Sequence, residues 1–193
     1  LGGFHLALSK LGCKCVFSSE LKEDLRKLYQ INYPGVRIEG DITKIAPKDI
    51  PSHDIICAGF PCQPFSQAGN RQGFNDEKGR GTLFDYIIDI VAYHKPKYII
   101  LENVSNLKGH DNGNTWRVIQ EKLDEQEYSV KAEILSPHEF GIPQHRKRIY
   151  IVCIRKDLGL LDNFTFPKGN KPVCDVNDII EPNAKDIIPI KEE

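Results

Sequence analysis

The sequence has no methionine, one tryptophan and six cysteines in 193 residues. With no Met at its start, the chain is expected to begin inside a longer polypeptide. The cysteines (Cys13, Cys15, Cys57, Cys62, Cys153 and Cys174) are too few and too scattered for a disulfide framework. Nor do they show the paired CxxC spacing of a zinc site, so free thiols in a reducing cytoplasm and no metal are expected. No apolar run approaches the ~20 residues of a membrane-spanning helix. Residues Leu1 to His5 lack the basic and then apolar pattern of a secretory signal. Charge is balanced: 26 Lys and Arg against 27 Asp and Glu leave a net charge of -1. That excludes nucleic-acid binding by bulk charge and confines any DNA contact to a local patch or to another part of the protein. The G-x-G-x-x-G fingerprint of dinucleotide enzymes is missing too, which weighs against a nicotinamide oxidoreductase.

What remains reads as one globular domain, 40% hydrophobic and 27% charged. Short β-rich apolar runs at 13–18, 54–58, 98–102, 130–135 and 149–154 read as strands. Segments 20–32, 82–94 and 115–126 carry apolar residues at helical spacing, with Asn114 or Thr115 as N-cap and Pro96 closing the helix before it. This alternation predicts an α/β fold with a mostly parallel sheet and helices on both faces. In such sheets ligands bind at the carboxyl ends of the strands. From Leu158 onward, prolines replace periodic apolar positions, and residues 168–193 read as an exit segment toward a further region.

Four segments carry candidate chemistry. A strand runs into Gly59-Phe60-Pro61-Cys62-Gln63-Pro64, where two prolines fix the backbone on either side of a thiol. The glycine-rich stretch to Gly81 has a lid's composition. A lone cysteine is usually a small buried hydrophobe; this setting favours a positioned nucleophile. A second strand ends in Glu102-Asn103-Val104, where a carboxylate needs a partner or a task, although a surface glutamate at a strand end is as common. Gln144-His145-Arg146-Lys147-Arg148 brings cations to the start of a strand, able to hold a phosphate or a carbonyl oxygen, and equally a solvated turn. At the amino end, Gly2-Gly3 opens a helix, while Glu20 and then Asp41-Ile42 follow apolar runs. Glycine plus acid suits any nucleoside-binding sheet.

Together these segments resemble the C5-cytosine DNA methyltransferase family of bacterial restriction–modification systems. Gly59 through Ser66 matches its nucleophile motif, Glu102-Asn103-Val104 its Glu-Asn-Val motif, and Gln144-x-Arg146-x-Arg148 its Gln-x-Arg-x-Arg motif, in that order. The likeness runs from residue 1 to about residue 167, the expected catalytic domain. It implies a Rossmann-like fold that uses S-adenosyl-L-methionine and releases S-adenosyl-L-homocysteine. Cys62 would be the nucleophile and Glu102 the acid that grips and protonates cytosine N3. Arg148, helped by Arg146, would hold the base's O2. Asn103 would brace the nucleophile segment, and Gln63 and Ser66 would touch DNA. Leu1, Gly2 and Gly3 would lie near the cofactor's methionine end, Glu20 at its ribose, and Leu21, Asp41 and Ile42 at its adenine, with Gly59, Pro61 and Leu83 nearby.

The resemblance implies double-stranded DNA as partner, a cognate restriction endonuclease in the same system, no membrane, and a monomer. Departures are specific. Only Leu1-Gly2-Gly3 remains of the family's opening strand, so the first strand is expected to be missing, and the family's target-recognition domain is expected to lie outside residues 1–193. Leu21 stands where many relatives carry an aromatic, which weakens adenine stacking. Two other readings compete: a transfer-RNA cytosine methyltransferase of the same family, and a non-catalytic DNA-binding partner of a methylase.

Overall fold

A computed structural model describes residues 2–61, 83–173 and 175–181 of the chain. Its centre is a four-stranded sheet in the order β3-β4-β6-β5. The strands are β3 (Ile55–Gly59), β4 (Tyr98–Val104), β5 (Tyr128–Leu135) and β6 (Arg148–Arg155). β3 pairs with β4 in parallel, and β6 lies antiparallel between β4 and β5. Three of the four strands thus share one direction, as the alternation of strands and helices implies, and β6 is the exception. Its reversal fits its connection: among the described residues 136–147, the only helix is the short 3-10 turn Pro137–Phe140, whereas a parallel crossover is usually made by an α-helix.

β4 shows how the sheet is anchored. Ile99, Leu101 and Asn103 are buried and alternate with Tyr98, Ile100 and Glu102 on the other face. Ile99 and Leu101 join Ile149, Ile151 and Cys153 of β6 in the core. Against them pack Phe84, Ile87 and Val91 of α3 (Leu83–His94) and Ile119 and Leu123 of α4 (Asn114–Glu125). Each fully buried aliphatic side chain contributes about 1.5–3 kcal/mol, so this layer fixes β4 and β6 against each other.

The amino-terminal part holds α1 (Gly3–Ser9), β1 (Ser18–Ser19), α2 (Glu23–Asn32) and β2 (Ile38–Glu39), with β1 and β2 paired in parallel. The expected strand at 13–18 is corrected here: only Ser18 and Ser19 find a ladder, and 13–17 have no strand partner among the described residues. α2 begins at Glu23, which leaves Glu20 and Leu21 on the connection after β1. The N-cap of α4 is Gly113 in a left-handed conformation, in place of Asn114 or Thr115. Thr115 instead turns inward, where its hydroxyl bonds His110 Nδ1 at 2.7 Å. β4 runs through Val104, so Glu102 and Asn103 sit within the strand because β6 pairs with it as far as Arg148.

Past β6 the chain folds back before it leaves. Lys131 Nζ of β5 donates to the carbonyls of Leu161 and Phe164 at 2.7 and 2.8 Å. The Lys171 amide donates to the Glu139 carbonyl at 3.2 Å. Among the described residues, no helix is long and apolar enough to cross a membrane.

Candidate active site

The parallel register places Gly59 beside Glu102, and the antiparallel register sets Glu102 opposite Tyr150 and Val104 opposite Arg148. Side chains two apart on a strand share a face, so Arg148 lies on the diagonal from Glu102. Its Nε meets Glu102 Oε1 at 2.9 Å, with both side chains largely shielded (22% and 29% exposed). A further donation from Arg148 to the Lys147 carbonyl, at 2.9 Å, fixes the guanidinium. The other carboxylate oxygen faces β3: a first side-chain carbon at position 59 would lie 3.5 Å from Glu102 Oε2. Glycine therefore leaves that oxygen approachable from the end of β3. The site thus combines a carboxylate oxygen that can accept or deliver a proton with a fixed cation beside it.

Asn103, on the buried face and 4% exposed, ties β4 to the chain leaving β3. Its Nδ2 donates to the Phe60 carbonyl at 2.7 Å, and its Oδ1 accepts from the Val104 amide at 2.8 Å. Phe60 is itself buried, its ring 5.1 Å from that of Phe84. Phe60 and Pro61 are thereby held at the sheet edge as the chain approaches Cys62. Cys62, Gln63, Ser66 and Leu1 lie outside the described residues.

Arg146 and Arg148 come to the same corner in different states. Arg148 is paired with Glu102, whereas the Arg146 side chain is exposed and only its backbone is fixed, its amide donating to Ser136 Oγ at 3.1 Å. Ser136 is a residue that the motif reading passes over. Its signal in the sequence is the capping pattern Ser136-Pro137-His138-Glu139, in which the Ser136 amide donates to Glu139 Oε2 at 3.0 Å.

In the amino-terminal part, the parallel strands β1 and β2 deliver Glu20 and Asp41 to neighbouring strand ends. Glu20 accepts from the Lys22 amide, and Arg26 binds the carbonyls of Glu20 and Leu21 at 2.8 and 2.7 Å. Asp41 Oδ1 takes the amide and hydroxyl of Thr43, bonds that hold its carboxyl below its ordinary range. Leu21 is exposed. Ile42 lines a groove of ≈ 280 Å³ with Ala46, Tyr86 and Ile90. Two acids at neighbouring strand ends, with exposed Leu21 and half-buried Ile42 beside them, suit a nucleoside: acceptors for hydroxyl and amino donors, apolar surface for a flat ring. Gly2 is left-handed (φ 77) with its carbonyl held by the Tyr33 hydroxyl at 3.0 Å, while a side chain on Gly3 would meet nothing within 4 Å. Leu83, at the start of α3, is partly exposed (38%).

Comparison with known proteins places the chain in a family. The chain is 46% identical over 185 residues to the Type II methyltransferase M.HhaI of Haemophilus parahaemolyticus, covering 96% of this chain and 55% of the relative. It is 46% identical over 191 residues to the Type II methyltransferase M.HaeII of Haemophilus aegyptius, covering 98% and 57%. The chain thus spans little more than half the length of these relatives. Among solved structures, a DNMT2 variant from Spodoptera frugiperda superposes with a TM-score of 0.69 over 95% of this chain and 58% of its own. At 22% identity, that likeness concerns the fold, which is the Rossmann-like methyltransferase fold. The model of the C-5 cytosine-specific DNA methylase family matches residues 1–191, and with it the strand ends that carry Gly59, Glu102 and Arg148; the chain belongs to that family.

Proposed function

We propose that this chain forms the catalytic domain, residues 1–167, of a DNA (cytosine-5-)-methyltransferase, with residues 168–193 leading toward a target-recognition region. The observation that carries the reading is the Glu102–Arg148 pair at 2.9 Å beside Gly59, with Asn103 holding the Phe60 carbonyl just ahead of Cys62. Cytosine C5 is too weak a nucleophile to accept a methyl group unaided. Attack of the Cys62 thiolate at C6, with Glu102 delivering a proton to N3, makes C5 an enamine-like carbon. Arg148 holds O2 of the base and keeps the Glu102 carboxylate aimed, and Arg146 assists from its exposed position. After transfer, the C5 proton is lost to water, the thiolate is expelled and the N3 proton returns to Glu102, which restores the aromatic ring and leaves Cys62 and Glu102 as they began. Thiolate, acid and cation converge on one base only if that base leaves the duplex stack.

The methyl group comes from S-adenosylmethionine, whose sulfonium carbon is the electrophile. Glu20 would bind its ribose hydroxyls, and Leu21, Asp41 and Ile42 its adenine, with Asp41 taking the amino group. Leu1, Gly2 and Gly3 would border its methionine end, with Gly59, Pro61 and Leu83 nearby. Gln63 and Ser66 would contact DNA. In this reading the protein acts as a monomer on duplex DNA, without a metal, beside a restriction endonuclease of the same specificity in a bacterial cytoplasm.

Methyl transfer from labelled S-adenosylmethionine by the full-length protein, run in parallel on duplex DNA and transfer RNA, tests the proposal. The expected result is label on C5 of DNA cytosine that vanishes with Cys62→Ala. Label on RNA alone overturns the substrate, and no label on either overturns the enzyme.

A further inference from the structure

Beyond the motif residues, the geometry points to Ser136 as the positioning residue of the arginine arm, and this rests on the proposed role of Arg148. β5 and β6 are laddered as far as the Leu135–Arg148 pair. Past that rung the backbone ladder cannot continue in the ordinary way, because Pro137 has no N–H to give. The Ser136 hydroxyl takes over: its Oγ accepts the Arg146 amide at 3.1 Å and bonds His138 Nδ1 at 2.7 Å. Ser136 is 2% exposed, so the hydroxyl end of these part-buried bonds is shielded from water.

The rest of the turn is built around that hydroxyl. The Ser136 amide binds Glu139 Oε2 at 3.0 Å, and the Ile142 amide binds the Pro137 carbonyl at 3.2 Å. The His138 ring lies against His145 with centroids 4.0 Å apart, so both limbs of the turn are joined a second time, next to Arg146. Ser136 Oγ therefore clamps the neck of the turn just before Arg148, whose Nε reaches Glu102. With the clamp, Arg146 and Arg148 leave a fixed backbone; without it, the Leu135–Arg148 rung becomes the end of the hairpin and frays. Ser136 touches neither base nor cofactor in this scheme and acts through Arg146 and Arg148.

The test compares full-length wild type with Ser136→Ala, Ser136→Thr and Arg148→Ala, reading kcat and KM for duplex DNA and hydrogen exchange at the Arg146 amide. Misplacing a catalytic group by about 1 Å costs up to about 100-fold, so Ser136→Ala should lower kcat about 10- to 100-fold. KM for DNA should stay within about threefold, the signature of an interaction made in the transition state. The Arg146 amide should exchange faster, and Ser136→Thr, which keeps the hydroxyl, should restore both readouts. If Ser136→Ala proves too unstable to assay, His138→Phe keeps the ring against His145 but removes the Nδ1 contact; a lower kcat together with faster exchange at the Arg146 amide supports the clamp, and wild-type values of both overturn it. Wild-type kcat in Ser136→Ala, with Arg148→Ala inactive, overturns the inference alone. If Arg148→Ala is fully active, or the wild type methylates nothing, the underlying functional reading fails instead.

Discussion

Glu102 and Arg148 lie on neighbouring antiparallel strands, two rungs apart along the diagonal, and join at 2.9 Å on the same face of the sheet. Because the arginine occupies Oε1, removing either partner disturbs the other. Glu102→Gln and Arg148→Ala should each lower kcat/KM on DNA by about 100-fold or more. The double variant should lose much less than the product of the two losses, since the residues act as a unit. Steady-state kinetics on the four proteins checks this; independent, multiplicative losses would separate the roles.

Gly59 leaves room beside Glu102 Oε2. A single added carbon would sit 3.5 Å away, an ordinary contact, so Gly59→Ala should fold with a melting temperature close to wild type. Gly59→Val adds carbons beyond that point and should lower activity on DNA by at least about tenfold through displacement of the carboxylate. Melting curves with parallel activity assays distinguish crowding of the site from loss of the fold.

Asn103 spans two strands from within the core. Asn103→Ala removes the Asn103 donation to the Phe60 carbonyl at a buried position, a loss of about 1–3 kcal/mol in stability. Activity should fall further than stability explains, because Phe60 and Pro61 lead directly to Cys62. Denaturant unfolding together with single-turnover rates measures both effects.

The structural cysteines should be chemically quiet. Burial, with the nearby Cys13 and Cys15 thiols adding to it, pushes Cys57 up to about 12, and burial alone pushes Cys153 up to about 12. The thiolate is the reactive form, so at pH 8 iodoacetamide should label exposed Cys13 well before Cys57 or Cys153. The sign of the linked stability is fixed by the same shifts. Unfolded thiols ionise near 9.0, so the folded state keeps this contribution below that pH and loses it as pH rises toward 12. Peptide mapping after labelling and an alkaline unfolding titration test the two statements.

Much of this was legible in the sequence because its signals are local. The apolar runs at 98–102 and 149–154 announce β4 and β6, and Glu102, Asn103 and Arg148 can be picked out from motif order alone. The contact between Glu102 and Arg148 could not be, since it depends on β6 running antiparallel beside β4, a register set by long-range packing. β1 shrank to Ser18–Ser19 for a related reason: Cys13 to Phe17 have strand-like composition but no ladder among the described residues. Ser136 hides because a single hydroxyl after a strand looks like any other turn serine. Only its burial and its bond to the Arg146 amide set it apart.

A covalent trap asks the chemistry its plainest question. Duplex DNA carrying 5-fluorocytosine at the target position should be attacked at C6 and methylated at C5. Fluorine cannot leave as a proton does, so the thiol cannot be expelled. Incubation of the full-length protein with this DNA and S-adenosylmethionine, followed by denaturing electrophoresis and peptide mass spectrometry, should give a stable protein–DNA adduct on Cys62. No adduct should form with Cys62→Ala. An adduct on another residue, or none from an active wild-type protein, would contradict nucleophilic catalysis by Cys62.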